Sequence, residues 1–146
     1  SQYAFYAANT VLECAHYWDT TTNSDLGGKS VFSLPGETGL SASDDASAQV
    51  TCAGVNIITG DGNEIDSGSP RPINDVDDGV RTFYLKIKDK EGISRLPAYE
   101  YCAQATVTKQ SSGSTIITTI EAKGYNTCVE NNPRRVERGL VQQYES

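Results

Sequence analysis

Residues 59–79 carry the densest set of potential metal ligands in the chain, in the sequence TGDGNEIDSGSPRPINDVDDG. Carboxylate and amide oxygens beside glycines suit Ca²⁺, which takes six to eight oxygen ligands in flexible loops. The spacing departs from an EF-hand loop, because Ile65 occupies a ligand position and no glutamate closes the loop. We therefore expect no cofactor and favour a solvated acidic loop over a calcium site. The candidate calcium ligands are Asp61, Asn63 and Asp66.

Few residues in the chain are suited to catalysis. The single histidine, His16, lies one helical turn from Glu13, which is a spacing typical of a surface pair on a helix. The sequence contains no nucleophile elbow, no phosphate-binding loop and no dinucleotide-binding glycine motif after a strand. We therefore expect a protein that is not an enzyme.

Four cysteines are spread along the chain without a CxxC pair, which argues against a zinc knuckle or a thioredoxin-type site. With no methionine present, this pattern predicts disulfides and an oxidising, extracytoplasmic environment. The sequence allows three pairings of the four cysteines. We favour Cys14–Cys52 and Cys102–Cys128, because each pair closes a moderate loop and stabilises by about 3 kcal/mol in the chain-entropy model.

A short basic cluster follows Pro133 and consists of Arg134, Arg135 and Arg138. The formal net charge of −7 argues against nucleic acid as the main partner, because phosphate binding needs clustered lysine and arginine. One interpretation of the cluster is protection of an edge strand and pairing with nearby glutamates. The other interpretation is a charged contact to the acidic face of a neighbouring identical subunit.

Residues 1–18, SQYAFYAANTVLECAHYW, follow the period of an amphipathic helix. One face is apolar, with Phe5 and Leu12 at its flanks, and consists of Ala4, Ala8, Val11, Ala15 and Trp18. The opposite stripe is polar and consists of Gln2, Asn9, Glu13 and His16, with a rim made of Tyr3, Tyr6, Thr10 and Tyr17. The pattern is already running at Ser1 without a capping box, so we expect the helix to continue from a preceding segment.

Alternation of apolar and polar residues predicts strands in the remainder of the chain. The predicted strands are residues 29–34, 49–58, 80–87, 99–108, 115–123 and 136–144. The fold class is therefore α+β, with one long N-terminal helix packed across an antiparallel sheet of four to six strands and stabilised by disulfides. At 146 residues the chain is expected to form a single domain. Its predicted parts are a helix in residues 1–22, a variable region with long loops in 23–79 and the sheet in 80–146.

Both ends of the chain share a pattern with a known family, in the alanine-rich helix AFYAANTVLECAHYWD and the closing segment TTIEAKGYNTC…RRVERGLVQQY. They resemble the soluble part of type IV pilin-like proteins, in particular the PilX-like minor pilins. The resemblance covers residues 1–18 and 115–145. It implies a pilin-like fold in which the helix is the lower half of a longer one, whose hydrophobic upper half precedes Ser1.

The resemblance implies a structural subunit of an extracellular type IV pilus or a related filament at the cell surface, held in the membrane before assembly. The implied partners are other pilin subunits and, through the preceding segment, the inner-membrane assembly machinery. The isolated domain is expected to be a monomer. The residues expected at subunit contacts are Tyr6, Asn9, Glu13, His16, Arg134, Arg135 and Arg138.

The alternative function is that of a secreted β-rich adhesin module, which binds a carbohydrate or a surface through residues 59–79 and neighbouring aromatic side chains. The coding sequence upstream of Ser1 distinguishes the two hypotheses. A prepilin leader followed by about 20 apolar residues would favour a pilin, whereas a conventional signal peptide ending directly before Ser1 would favour the secreted module.

Overall fold

The computed structural model describes residues 2–21, 23–63, 71–73, 79–88 and 100–146. It contains one α-helix, α1 (Gln2–Thr20), followed by two 3₁₀ turns at Asn23–Leu26 and Asp45–Gln49. The strands are β1 (Thr51–Cys52), β2 (Val55–Asn56), β3 (Val80–Lys88), β4 (Glu100–Ser112), β5 (Thr115–Tyr125) and β6 (Glu137–Glu145). In this part of the chain, no helix has the length and apolar character that crossing a membrane requires.

The strands β3 to β6 form one antiparallel sheet in the order of the sequence, and β1 and β2 form a separate two-stranded hairpin. The α+β prediction is therefore confirmed as one N-terminal helix packed on antiparallel sheets. The long strands lie close to where alternation predicts them, although β4 runs on to Ser112 and β6 begins at Glu137. The predicted start of the strand at Tyr99 lies outside the described residues.

One face of the four-stranded sheet is buried, under α1 at β4 to β6 and against Phe32 at β3, and the pairing register places its apolar side chains side by side. On this inner face β3 contributes Phe83 and Leu85, both fully buried, as the alternation of VRTFYLKI predicts. The remaining buried side chains of the face are Arg81, Ile87, Tyr101, Ala103, Ala105, Val107, Thr118, Ile120 and Ala122. Burial of one face and exposure of the other explains the alternation seen in the sequence.

The helix approaches the sheet most closely at Gly124 of β5. A Cβ atom added at Gly124 would overlap the backbone of Ala4 and Ala8 and would lie 2.9 Å from the Cα atom of Ala8. Both alanines have no exposed surface. Small residues on both elements therefore let the helix backbone rest directly on the strand.

The predicted strand at residues 29–34 is wrong, because the structure places no strand there. This segment is instead held by a side chain: the guanidinium of Arg81 donates hydrogen bonds to the backbone carbonyls of Val31 (2.7 Å) and Leu40 (2.8 Å). Arg81 is only 4% exposed and lies on the inner face of β3, in register with Phe83. A buried arginine therefore supplies the donors that a neighbouring strand would otherwise supply.

The single strand predicted at residues 49–58 is also wrong in detail, because the chain turns back within it. Ala53 and Gly54 both have positive φ, 51° and 79°, which is the backbone of a type I′ two-residue turn between β1 and β2. The indole Nε1 of Trp18 donates a hydrogen bond to the carbonyl of Thr51 (3.2 Å), so the end of the helix contacts this hairpin.

Two disulfides fix the helix and the sheet to their surroundings. Cys14 of α1 is bonded to Cys52 of β1, and Cys102 of β4 is bonded to Cys128 after β5. These are the two pairs predicted from the sequence, where each was favoured because it closes a loop of moderate length. Because structural disulfides persist in oxidising compartments, the two bonds indicate a protein that resides outside the cytoplasm.

Candidate functional site

The side of α1 that faces away from the sheet combines polar and aromatic side chains. We call this set the helix outer surface, and it consists of Phe5, Tyr6, Asn9, Glu13, His16 and Tyr17. Phe5 and Tyr6 are each 53% exposed and Tyr17 is 60% exposed. Large aromatic side chains this exposed are a common signature of surfaces that contact another molecule.

In the described part of the chain, Asn9 and His16 of this surface make weak side-chain contacts. Asn9 donates a 3.3 Å hydrogen bond from its side-chain nitrogen to the carboxylate of Glu13, one turn along the helix. The ring of His16 meets the ring of Tyr144 edge to face, with 5.2 Å between their centres. The predicted polar stripe is thus exposed or half-exposed, and these side chains face solvent.

The aromatic residues near the start of α1 differ in their contacts with the sheet and in their exposure. Tyr3 stacks on Tyr101 of β4 with ring centres 5.1 Å apart, and Tyr6 meets the same ring edge-on at 6.3 Å. Phe5, which was predicted at a flank of the apolar face, is more than half exposed. Each residue turns the helix by about 100°, so the residue after Ala4 points well away from the contact with Gly124.

A buried polar cluster fixes the far end of the helix. The carboxylate of Asp19 accepts hydrogen bonds from the Nζ of Lys109 on β4 and from the hydroxyl of Tyr144 on β6. The side chains of Asp19 and Lys109 are only 4% and 11% exposed. Burial, and then the hydrogen bond to Asp19, raises the pKa of Tyr144 above its usual range. A carboxylate near a helix C-terminus is unfavourable, because it meets the negative end of the helix dipole. The ammonium group of Lys109 compensates this charge.

The three arginines of the basic cluster do not share one surface. The guanidinium of Arg135 lies 3.8 Å from the centre of the Tyr125 ring, on the outer face of the sheet. Arg138 is paired in register with Gly124 and therefore lies on the helix side of the sheet, where it is exposed. Arg134 is exposed in the turn before β6. Any contact made by this cluster would therefore involve two different faces.

The candidate calcium ligands are only partly described. Asp61 is exposed, and Asp66 lies outside the described residues. Asn63 is fully buried, and its side-chain nitrogen donates hydrogen bonds to the carbonyls of Arg71 (3.3 Å) and Tyr84 (2.8 Å). No group of three or more acidic, histidine or cysteine side chains suited to a metal occurs within the described ranges. The calcium site stays a prediction.

Comparisons with known proteins return no match to any family model, curated protein or solved structure. The family resemblance therefore stays a prediction, and the function has to be argued from the geometry of the chain. Two features that the sequence did not point out, the contact at Gly124 and the cluster around Asp19, hold the helix at its two ends. Gly124 lies two residues after Ala122, so alternation along β5 places it on the inner face. A glycine at such a position is the sequence signal that predicts close approach of another backbone.

Proposed function

We propose that this chain is a structural subunit of an extracellular filament of the type IV pilus class, and that neighbouring subunits cover the helix outer surface. The observation that carries the proposal is the contrast between the two sides of α1. Its inner side rests on the sheet from Ala4 to Trp18, whereas its outer side leaves Phe5, Tyr6 and Tyr17 more than half exposed.

The exposed aromatic area is large enough to matter for association. Covering the remaining half of a phenylalanine or tyrosine side chain removes roughly 100 Å² from water, which is worth about 2–3 kcal/mol before ordering costs. Three such side chains along one helix are a sizeable share of a specific contact. The polar residues between them, Asn9, Glu13 and His16, can supply the hydrogen bonds that set the register between subunits.

The way in which α1 is fixed also supports a role in assembly. The direct contact at Gly124 holds the first turns, the bond between Cys14 and Cys52 holds the middle, and the cluster around Asp19 holds the last turn. A surface that is rigid before binding loses little conformational entropy when a neighbour covers it. A subunit that transmits load along a filament gains from the same covalent and buried polar links.

The test is whether the native gene product enters a polymer through this surface. In the cells that produce it, filaments are sheared from the surface, pelleted and probed for the chain in the wild type and in Phe5→Ser and Tyr6→Ser variants. The matched control is Val129→Ser, because Val129 is 55% exposed but lies outside the helix. We expect the wild type and the control in the pellet and a clear loss for both helix variants.

The result that contradicts the proposal is equally concrete. A wild-type chain that accumulates as free protein in the medium, with none in the pelleted polymer, would favour the secreted binding module instead. Equal recovery of all variants in the pellet would show that the helix outer surface is not a subunit contact. Circular dichroism of the purified variants verifies that each one folds.

A further inference from the structure

The outer face of the sheet, opposite to α1, carries a groove that the proposed assembly does not use. Its floor is formed by β4 and the disulfide between Cys102 and Cys128, and its volume is about 290 Å³. That volume is at the lower end of ligand sites in proteins, so the groove suits a molecule of the size of one sugar or one amino acid. The polar and aromatic side chains that line it are Arg71, Tyr84, Gln104, Tyr125, Glu130 and Arg135.

Two arginines in this groove are each stacked on a tyrosine. The Cζ atom of Arg71 lies 4.9 Å from the centre of the Tyr84 ring, and that of Arg135 lies 3.8 Å from the centre of the Tyr125 ring. The Tyr125 hydroxyl donates a 2.8 Å hydrogen bond to Glu137, which fixes the ring. Stacking on a ring face holds a guanidinium in one plane and leaves its N–H edge for an acceptor.

The charge of the groove differs from that of the whole protein. The guanidinium groups of Arg71 and Arg135 line the groove with the carboxylate of Glu130, and the carboxylate of Glu137 lies at the Tyr125 hydroxyl, so positive and negative charges balance here in a chain whose formal net charge is −7. The Nε–H of Arg135 is buried and has no hydrogen-bond partner in the described part of the chain. The groove therefore selects for an acceptor that carries negative charge.

We infer that the groove binds a small molecule that carries a single carboxylate, held by Arg135 and Arg71. The flat fork of a guanidinium matches the two oxygens of a carboxylate, and Glu130 disfavours doubly charged anions such as phosphate. Gln104, which is paired in register with Tyr84, can contact a hydroxyl or amine of the same ligand. The chemistry fits a sugar acid or an N-acylated amino acid, each of which carries one carboxylate. This inference does not depend on the filament proposal, because the groove lies on the face opposite to α1.

The experiment is a titration of the purified chain with glucuronate and with N-acetylalanine, followed by calorimetry and by amide chemical shifts. Glucose and N-acetylalanine amide, which have no carboxylate, are the neutral controls for the two arms. We expect saturable binding of at least one acid, with no binding of its neutral counterpart. Tighter binding of glucuronate would identify a sugar ligand, tighter binding of N-acetylalanine would identify a peptide-type ligand, and either result supports the inference.

Two substitutions assign the binding to the groove. Arg135→Gln and Arg71→Gln should each weaken the binding of the acid by about tenfold or more, because each removes a charge-assisted contact. Lys29→Gln changes the net charge equally but breaks only a surface ion pair with Asp44, 2.9 Å away, and should leave the affinity within about twofold. If one of the two groove variants fails to fold, the other still tests the inference.

Four outcomes would overturn the inference. The first is the absence of saturable binding of both acids at about 10 mM, a concentration on the order of the weakest small-ligand affinities. The second is equal binding of an acid and its neutral control, and the third is unchanged affinity in folded Arg135→Gln and Arg71→Gln. The fourth is tighter binding of inorganic phosphate than of either carboxylate, because the Glu130 carboxylate repels a doubly charged anion more strongly than a singly charged one. The amide chemical shifts that change on binding must belong to residues of β4 and to residues 128–135.

Discussion

Replacement of Gly124 by alanine tests how the helix is held on the sheet. The added Cβ atom would overlap backbone atoms of Ala4 and Ala8, and a helix backbone cannot move aside as a flexible side chain can. The first two turns of α1 would have to rise from β5, with loss of contact at both alanines. Overpacking of this kind costs about 1–3 kcal/mol, and we expect the upper end because the clash is with backbone.

The assay is thermal and urea unfolding of the Gly124→Ala variant. For a chain of this size, about 3 kcal/mol corresponds to a fall in Tm of roughly 6–12 °C. Gly139→Ala is the matched control, because its added Cβ would meet only the Ala122 carbonyl oxygen at 3.8 Å, which is an ordinary contact. We expect that control to stay within about 0.5 kcal/mol of the wild type.

A Gly124→Ala variant that melts within about 2 °C of the wild type and of Gly139→Ala would refute this reasoning. It would mean that the helix does not sit on β5 at the distance described. Loss of the near-ultraviolet signal from the stacked rings of Tyr3 and Tyr101 would accompany the expected displacement. Retention of that signal, with an unchanged Tm, would count against a close helix contact.

Two further predictions concern the buried polar groups. Arg81→Met should lower the free energy of unfolding by about 3 kcal/mol in urea titration, because two loop carbonyls lose a charged donor. The control, Lys88→Met at the exposed end of the same strand, should change it little. Equal effects of the two substitutions would contradict the role assigned to Arg81. The pKa of Tyr144 is raised in the folded state from its ordinary value of 10.0, so its contribution to stability is complete below pH 10 and lost as the pH rises through the folded-state pKa. Between pH 8 and pH 12, the free energy of unfolding should therefore fall less in Tyr144→Phe than in the wild type. A residual slope is expected from Tyr125, because burial and the hydrogen bond to Glu137 raise its pKa to about 12. An identical slope in both proteins would contradict the cluster around Asp19.

Periodicity made much of the fold predictable. Alanine and valine at helical spacing identified the buried side of α1, and alternation identified the inner faces of β3, β4 and β5. These signals are local, since they depend only on which residues of one element face the core. The exposure of a flanking residue such as Phe5 is less predictable, because it depends on the width of the sheet beneath the helix, which a sequence period does not contain.

Long-range polar contacts were not predictable in the same way. Arg81 falls on the inner face by simple alternation, yet one of its acceptors is at residue 31, in a segment predicted as a strand, and the other is at residue 40, outside any predicted strand. The helix outer surface was anticipated in part, because a polar stripe with a tyrosine rim is visible in the sequence. The groove was not, because Arg71 and Arg135 come from distant segments and meet tyrosines of two different strands.

The most direct test of the central claim is hydroxyl-radical footprinting of the chain in sheared filaments and in the isolated state. The account predicts that oxidation of Phe5, Tyr6 and Tyr17 falls to a small fraction of its value in the isolated chain, while oxidation of Val129 stays the same. Equal oxidation of the three aromatic side chains in both states would contradict the claim that neighbouring subunits cover this side of the helix.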